Sequence, residues 1–167
     1  EKRITEIGVP MGIIAALIPS TNPTSSTIYK IMIALKAGNA VIVSPHPNAK
    51  DCIIKTAEYL IRAAERKGAP KGLIGVIKTP TLQATQELMK HKKTSLILAT
   101  GGEAMVKAAY SSGTPAIGVG PGNGPAFIER SADIRKAVKR IIDSKTFDNG
   151  VICASEQSIV TEEATMT

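Results

Sequence analysis

The chain has 167 residues, 43% of them hydrophobic and 21% charged, which suits one soluble domain or one domain and part of a second. Its net charge of +7 is spread over short clusters at Arg62–Lys71, Lys90–Lys93 and Arg135–Lys145, which read as solvated helix faces or suit a small anionic cofactor, and with three Tyr, two Phe and no Trp there is no base-stacking platform, so nucleic acid is not the expected partner. No apolar run is long enough to span a bilayer, the start has no signal-peptide layout, and two cysteines make no disulfide framework, so no membrane partner is expected and a reducing cytoplasm is the simplest location.

In chain order, Ile13–Ile18 is a short apolar run ended by Pro19 and reads as a buried strand. Thr24–Lys36 carries Ile28, Ile31, Met32 and Leu35 at helical spacing, closed by Gly38-Asn39. Ala40–Val43 is a second buried strand, stopped by Ser44-Pro45-His46-Pro47. A helix follows from Ala49 to Lys67, with Ile53, Ile54, Ala57, Leu60, Ile61 and Ala64 on one face. Leu73–Ile77 is a third strand, Leu82–His91 a helix, Ser95–Ala99 a fourth strand, Glu103–Tyr110 a helix and Ala116–Val119 a fifth strand. Strand and helix alternate, and the strands are continuous apolar runs, so both sheet faces must be covered and the sheet is parallel. The expected fold is α/β, a Rossmann-like doubly wound parallel sheet.

The layout changes at Gly120–Pro125, which reads as a hinge. Beyond it, Phe127-Ile128 opens a strand, and Ala132–Lys145 is an amphipathic helix with Ile134, Ala137, Val138, Ile141 and Ile142 on its inner face. Ser158-Ile159-Val160 begins a strand with no partner. Residues 1–122 are thus expected to be a nucleotide-binding domain and 123–167 the first part of a second α/β domain, the whole being a fragment.

Several residues are placed for chemistry. Cys153 sits beyond the last helix in the small-residue stretch Thr146–Gln157; it is either a nucleophilic thiol or a buried small hydrophobe. Cys52, on the flank of an apolar helical stripe, is expected in the core. Asn22, in Ser20-Thr21-Asn22-Pro23 directly after the first strand, is either an oxyanion donor or a turn and cap residue. Gly101-Gly102 lies between a strand and a helix, where backbone N–H groups can meet a phosphate, although Val106 stands where a third glycine of a dinucleotide fingerprint would be. Gly118, Gly120, Gly122 and Gly124 either let a cofactor approach the backbone or form the hinge. His46, between two prolines, reads as a rigid surface turn, and with His91 as the one other histidine no zinc cluster can be assembled, so no metal is expected.

Together these residues resemble the aldehyde dehydrogenase superfamily along nearly the whole chain. Ser20–Pro23, Ala37-Gly38-Asn39, Thr100-Gly101-Gly102, the glycine-rich hinge and the cysteine occur in family order. Ser44–Pro47, Ile97–Gly102, Gly118–Asn123 and Ser144–Gln157 resemble the coenzyme A-acylating branch. That branch includes the aldehyde dehydrogenase half of bifunctional aldehyde-alcohol dehydrogenases and the single-function acetaldehyde and propionaldehyde dehydrogenases.

The resemblance implies NAD-dependent oxidation of a short aliphatic aldehyde to its acyl-coenzyme A. Cys153 would attack the aldehyde and carry the thioester, with Asn22 and the Cys153 N–H as the oxyanion hole. Ser20, Thr21, Ser44, His46, Pro47, Thr100, Gly101, Gly102, Gly118, Gly120 and Gly122 would contact the cofactor. Two departures from hydrolytic members stand out. No carboxylate occurs in Ile117–Asn123, where they place the Glu that activates water, and Ser44 replaces a Lys near the adenosine ribose. The small-molecule partners implied are an aldehyde and coenzyme A. The parent protein is expected to be a homo-oligomer, in the cytoplasm or in a bacterial microcompartment. Competing readings are a semialdehyde or hydrolytic dehydrogenase of the same fold, and a non-catalytic nucleotide-binding module.

Overall fold

A computed structural model of the chain describes residues 3–163. The chain divides into two compact units, Glu1–Val119 and Gly120–Thr167. The division falls a little before the change of domain expected at 122.

The first unit is built on five strands: β1 (Ile13–Ile18), β2 (Ala40–Pro45), β3 (Ile74–Val76), β4 (Thr94–Thr100) and β5 (Ala116–Val119). They are parallel, in the order β3-β2-β1-β4-β5. Between them run α1 (Pro23–Lys36), α2 (Lys50–Arg66), α3 (Leu82–Lys90) and α4 (Glu103–Tyr110), with a 3-10 turn over Pro47–Ala49 leading into α2. Local chemistry sets the boundaries. Pro23 at the first turn of α1 lacks the N–H that would be orphaned there. Gly38, at φ +75°, turns the chain out of α1 in a conformation that L side chains rarely adopt. The Thr81 hydroxyl accepts from Ala84 N–H and caps α3. Asn39 is 5% exposed, and its Oδ1 accepts from Met11 N–H at 2.6 Å and Gly12 N–H at 2.9 Å, tying the entry of β1 to the entry of β2.

β1 shows why the apolar runs are continuous. Ile14, Ala16 and Ile18 pack on one sheet face with Ile31 and Ala34 of α1 and Ile53 and Ala57 of α2. Ala15 and Leu17 pack on the other with Met89 of α3 and Ala109 of α4. A central strand covered on both faces has no polar position to offer.

The second unit consists of β6 (Gly124–Ile128), α5 (Ile134–Thr146), a 3-10 turn over Phe147–Gly150, and β7 (Glu156–Thr161). Asp133 caps α5 through its carboxylate, which accepts from Lys136 N–H.

Six expectations are corrected. The terminal strand has a partner: β7 pairs in parallel with β6, from Gly124↔Glu156 to Ile128↔Thr161. The hinge is shorter, because Gly124 and Pro125 already belong to β6. Helix α1 is rotated by about one residue, burying Thr27, Lys30, Ile31 and Ala34 and leaving Ile28 and Met32 exposed. Cys52 is exposed on the first turn of α2, 3.3 Å from the Thr24 hydroxyl, instead of lying in the core. The apolar stripe of α5 buries no residue, and Ile134, Val138 and Ile142 are exposed. Likewise Ile117 and Val119 of the edge strand β5 remain exposed, so the sheet is not covered on both faces out to its edge.

Candidate functional site

Parallel strands bring their carboxyl ends to one rim. β1 lies between β2 and β4, and the strand order reverses there, which is where doubly wound sheets open a crevice. The loop Ser20–Asn22 leaves β1 at that rim, His46-Pro47 leaves β2, and Gly101-Gly102 leaves β4. Apart from Gly118, which lies in β5, the expected ligand-binding residues of the first unit therefore stand at the ends of three neighbouring strands.

Asn22 is exposed and precedes α1 without a side-chain cap bond. Instead its Oδ1 accepts from the Thr21 hydroxyl at 3.3 Å and the Ser26 hydroxyl at 3.2 Å. The two hydroxyls orient the amide, and its NH2 has no acceptor among the described residues. A fixed carboxamide with a spare donor can hydrogen-bond an oxygen that gains negative charge.

Beneath this loop lies Lys30, which the sequence reading did not single out. It is 4% exposed. Its ammonium donates to Leu17 O of β1 at 2.7 Å and to Leu98 O of β4 at 2.9 Å, bracing the two strands at the point of reversal. Burial lowers its pKa to about 7. The signal was present as Thr27, Lys30, Ile31 and Ala34, an i, i+3, i+4, i+7 stripe containing a lysine.

The remaining cofactor candidates differ in what they offer. Ser44 is 3% exposed and its hydroxyl pairs with Thr85 Oγ1 at 2.9 Å, so it supports the rim from within rather than facing a ligand. His46 is exposed; its Nδ1 accepts from Asn48 N–H, which fixes the ring over the 3-10 turn that begins at Pro47. Thr100 ends β4, and Gly101 N–H already donates to Val119 O. Gly102 is the N-cap of α4, and a Cβ there would meet nothing within 4 Å. Its surroundings can admit a phosphate, although Glu103 places a carboxylate in the same first turn.

Gly118 needs correction. Its open side is filled by α4: a Cβ would lie 2.7 Å from Val106 Cγ1 and 2.9 Å from the Tyr110 ring, and its N–H donates to Tyr110 Oη at 2.9 Å. This glycine admits a tyrosine, not a cofactor. Gly120 opens the second unit.

In the second unit, Cys153 is half-buried in a tight turn between the 3-10 turn and β7. Val151 N–H donates to Asp148 O, and Ser155 N–H to Ile152 O. Gly122 N–H donates to Cys153 O at 3.0 Å, so Gly122 meets the nucleophile candidate directly. Asp148 and Asn149 stand at φ 50° and 55°, left-handed backbone that is unusual for residues other than glycine. Below the turn, the Ser144 hydroxyl donates to Glu156 Oε1 at 2.8 Å. The Glu156 carboxyl is held below its ordinary pKa first by its own backbone N–H and then by Ser144, with the charge of Lys145 adding to the effect.

Among the described residues no group of His, Cys, Asp and Glu could hold a metal ion, and no helix is long and apolar enough to cross a membrane.

The family model for the aldehyde dehydrogenase family matches residues 1–167. The chain is 58% identical over 154 residues to the bifunctional aldehyde-alcohol dehydrogenase AdhE of Escherichia coli K12, a match covering 92% of this chain and 17% of that protein. An acetylating aldehyde dehydrogenase from Geobacillus thermoglucosidasius superposes with a TM-score of 0.85 at 61% identity, covering 93% of this chain and 34% of that one. A Rhodopseudomonas palustris propionaldehyde dehydrogenase with bound propionyl-CoA gives 0.83 at 38% identity, covering 92% and 34%. The chain thus spans between 17% and 34% of the length of these relatives.

Proposed function

The chain belongs to the aldehyde dehydrogenase family, and from that premise we propose that it carries the nucleotide-binding rim and the nucleophile of a coenzyme A-acylating, NAD-dependent dehydrogenase for a short aliphatic aldehyde. The observation that carries the reading is Cys153: a half-buried thiol on a main chain pinned by Gly122, in a chain whose Ile117–Asn123 segment has no carboxylate to activate water.

The Cys153 thiolate attacks the aldehyde carbon. A C–S bond forms, and the carbonyl π pair moves onto oxygen. On the family resemblance, Asn22 would donate its spare amide N–H to this oxygen and the Cys153 N–H would be the second donor. The oxyanion then collapses, the carbon gives up its hydrogen as hydride, and a thioester remains on Cys153. Nicotinamide, when bound, supplies the acceptor for that hydride. The thiolate of coenzyme A next attacks the thioester and expels Cys153 as thiolate. The balance is aldehyde, NAD⁺ and coenzyme A to acyl-coenzyme A, NADH and a proton. Without a carboxylate base nearby, water competes poorly, and the thioester persists until a thiol arrives.

The rim suits a dinucleotide. Three exposed loops converge at the reversal of strand order, and Gly102 leaves open space at the start of α4. Ser20, Thr21, His46, Pro47, Thr100, Gly101 and Gly102 would hold it, with Ser44 bonded to Thr85 inside the rim.

The test is NADH formation by the intact enzyme containing this chain, given acetaldehyde and NAD⁺, with and without coenzyme A. Turnover that requires coenzyme A and disappears in Cys153→Ala is the expected result. Turnover indifferent to coenzyme A would mean that water resolves the thioester, and no NADH in either case would sink the reading. Asn22→Ala should lower kcat about 10²- to 10³-fold.

A further inference from the structure

Cys153 lies on a segment with little burial of its own, bounded by two contacts that the reaction scheme above does not use. Of residues 147–155, only Ser155 is fully buried, at 5% exposure. Two consecutive left-handed residues, Asp148 and Asn149, bend the segment, and such backbone persists only where its surroundings hold it. One holding contact is at its base. Ser144 in the last turns of α5 donates to Glu156 at the start of β7, closing the segment like a clasp. The other is at the cysteine itself. Gly122 N–H donates to Cys153 O, and a Cβ on Gly122 would lie 2.8 Å from that oxygen, closer than real Cβ contacts come. The obstructing atom is backbone, so it cannot rotate away. Gly122 does not have positive φ, so its requirement for glycine is this approach alone.

We propose that Gly122 and Glu156 are positioning residues for Cys153: Gly122 fixes the height of the cysteine main chain, and Glu156, through Ser144, fixes the base of its turn. The inference rests on the reading of Cys153 as the nucleophile. It assigns to Gly122 a role other than cofactor contact, and gives Glu156 a role that depends on its acceptor oxygen rather than its charge. An attacking sulfur must sit within a few tenths of an ångström of its line of approach, and a displacement of about 1 Å costs on the order of 10²-fold in rate.

The experiment uses the intact enzyme and reads single-turnover NADH formation, the KM for NAD⁺, and the alkylation rate of Cys153 by iodoacetamide, resolved from Cys52 by peptide mass. Gly122→Ala and Glu156→Ala should each slow single-turnover acylation about 10- to 100-fold and change the alkylation rate of Cys153, with the KM for NAD⁺ unchanged. Glu156→Gln keeps an acceptor for Ser144 and should return to within a few-fold of the parent. Parental acylation rates in Gly122→Ala and Glu156→Ala would overturn the proposal. So would a Glu156→Gln enzyme as slow as Glu156→Ala, because charge rather than the clasp would then be the cause. If Gly122→Ala fails to fold, the Glu156 pair decides the matter. Full turnover in Cys153→Ala would instead remove the nucleophile reading beneath it, an outcome distinct from the other two.

Discussion

The two units read alike in sequence but solve burial differently. In the first, amphipathic helices lie on both faces of a five-stranded sheet, and Ile14, Ile31, Ile53, Met89 and Ile97 are each at most 2% exposed. In the second, α5 has an equally clear apolar stripe, yet it buries nothing, and Phe127, Ile159 and Val160 of its two-stranded sheet are exposed as well. An apolar stripe therefore states a demand for a covering layer, not that the layer is present. The first unit meets that demand over its central strands from within residues 3–119; the second does not from within 120–163.

The widest difference should appear in paired truncations. Ile97→Ala removes a fully buried side chain of β4 from the core it shares with Leu17, Met89 and Ala109, and should cost about 2–5 kcal/mol. Ile142→Ala, on the open face of α5, should stay within about 0.5 kcal/mol in this chain. Urea midpoints measure both, and equal costs would erase the contrast.

A subtler test uses the charge inside the first core. Burial lowers the pKa of Lys30 to about 7, while the unfolded chain holds that proton until about 10.4. Between those values the unfolded state binds more protons, so stability should rise with pH, by something on the order of 3 kcal/mol from pH 7 to 9.5. The penalty is fully present below pH 7. Lys30→Met should flatten this slope in urea titrations across the same range, and an unchanged slope would place its origin elsewhere. The smallest expected effect is at the sheet edge. Tyr110→Phe leaves the ring packed on Gly118 but removes the acceptor of its N–H, and should cost about 1 kcal/mol in thermal unfolding.

The strands of the first unit were legible because a parallel core strand must be apolar on both faces, and Ala116–Val119 and Glu103–Tyr110 appear with the bounds read from sequence. The face of α1 was not. Counting apolar residues favours Ile28 and Met32, but the sheet selects the turn that brings Lys30 beneath the carbonyls of Leu17 and Leu98. A lysine on a helix is usually solvated, so its burial depends on two acceptors distant in sequence. Cys52 failed for the opposite reason, lying one residue off the stripe centred on Ile53. At the site, the loops of the rim followed from strand order, whereas the contacts of Gly122, Ser144 and Glu156 around Cys153 are tertiary, and no local pattern announces them. β7 was missed as a paired strand because its partner, β6, begins at residues that look like a hinge.

Tyr110 has one more consequence. β5 is an outermost strand, and successive residues of a strand direct their backbone groups to opposite sides. Pro115 O and Val119 O accept from β4 and its following turn, so the Gly118 N–H points away from the sheet. The phenol occupies that N–H, and the strand at the opposite margin, β3, is three residues long. A foreign strand seeking to extend this sheet would find a short template on one side and a side chain already in the vacant place on the other. The same glycine that accommodates the ring thus leaves less of this edge open to strand addition.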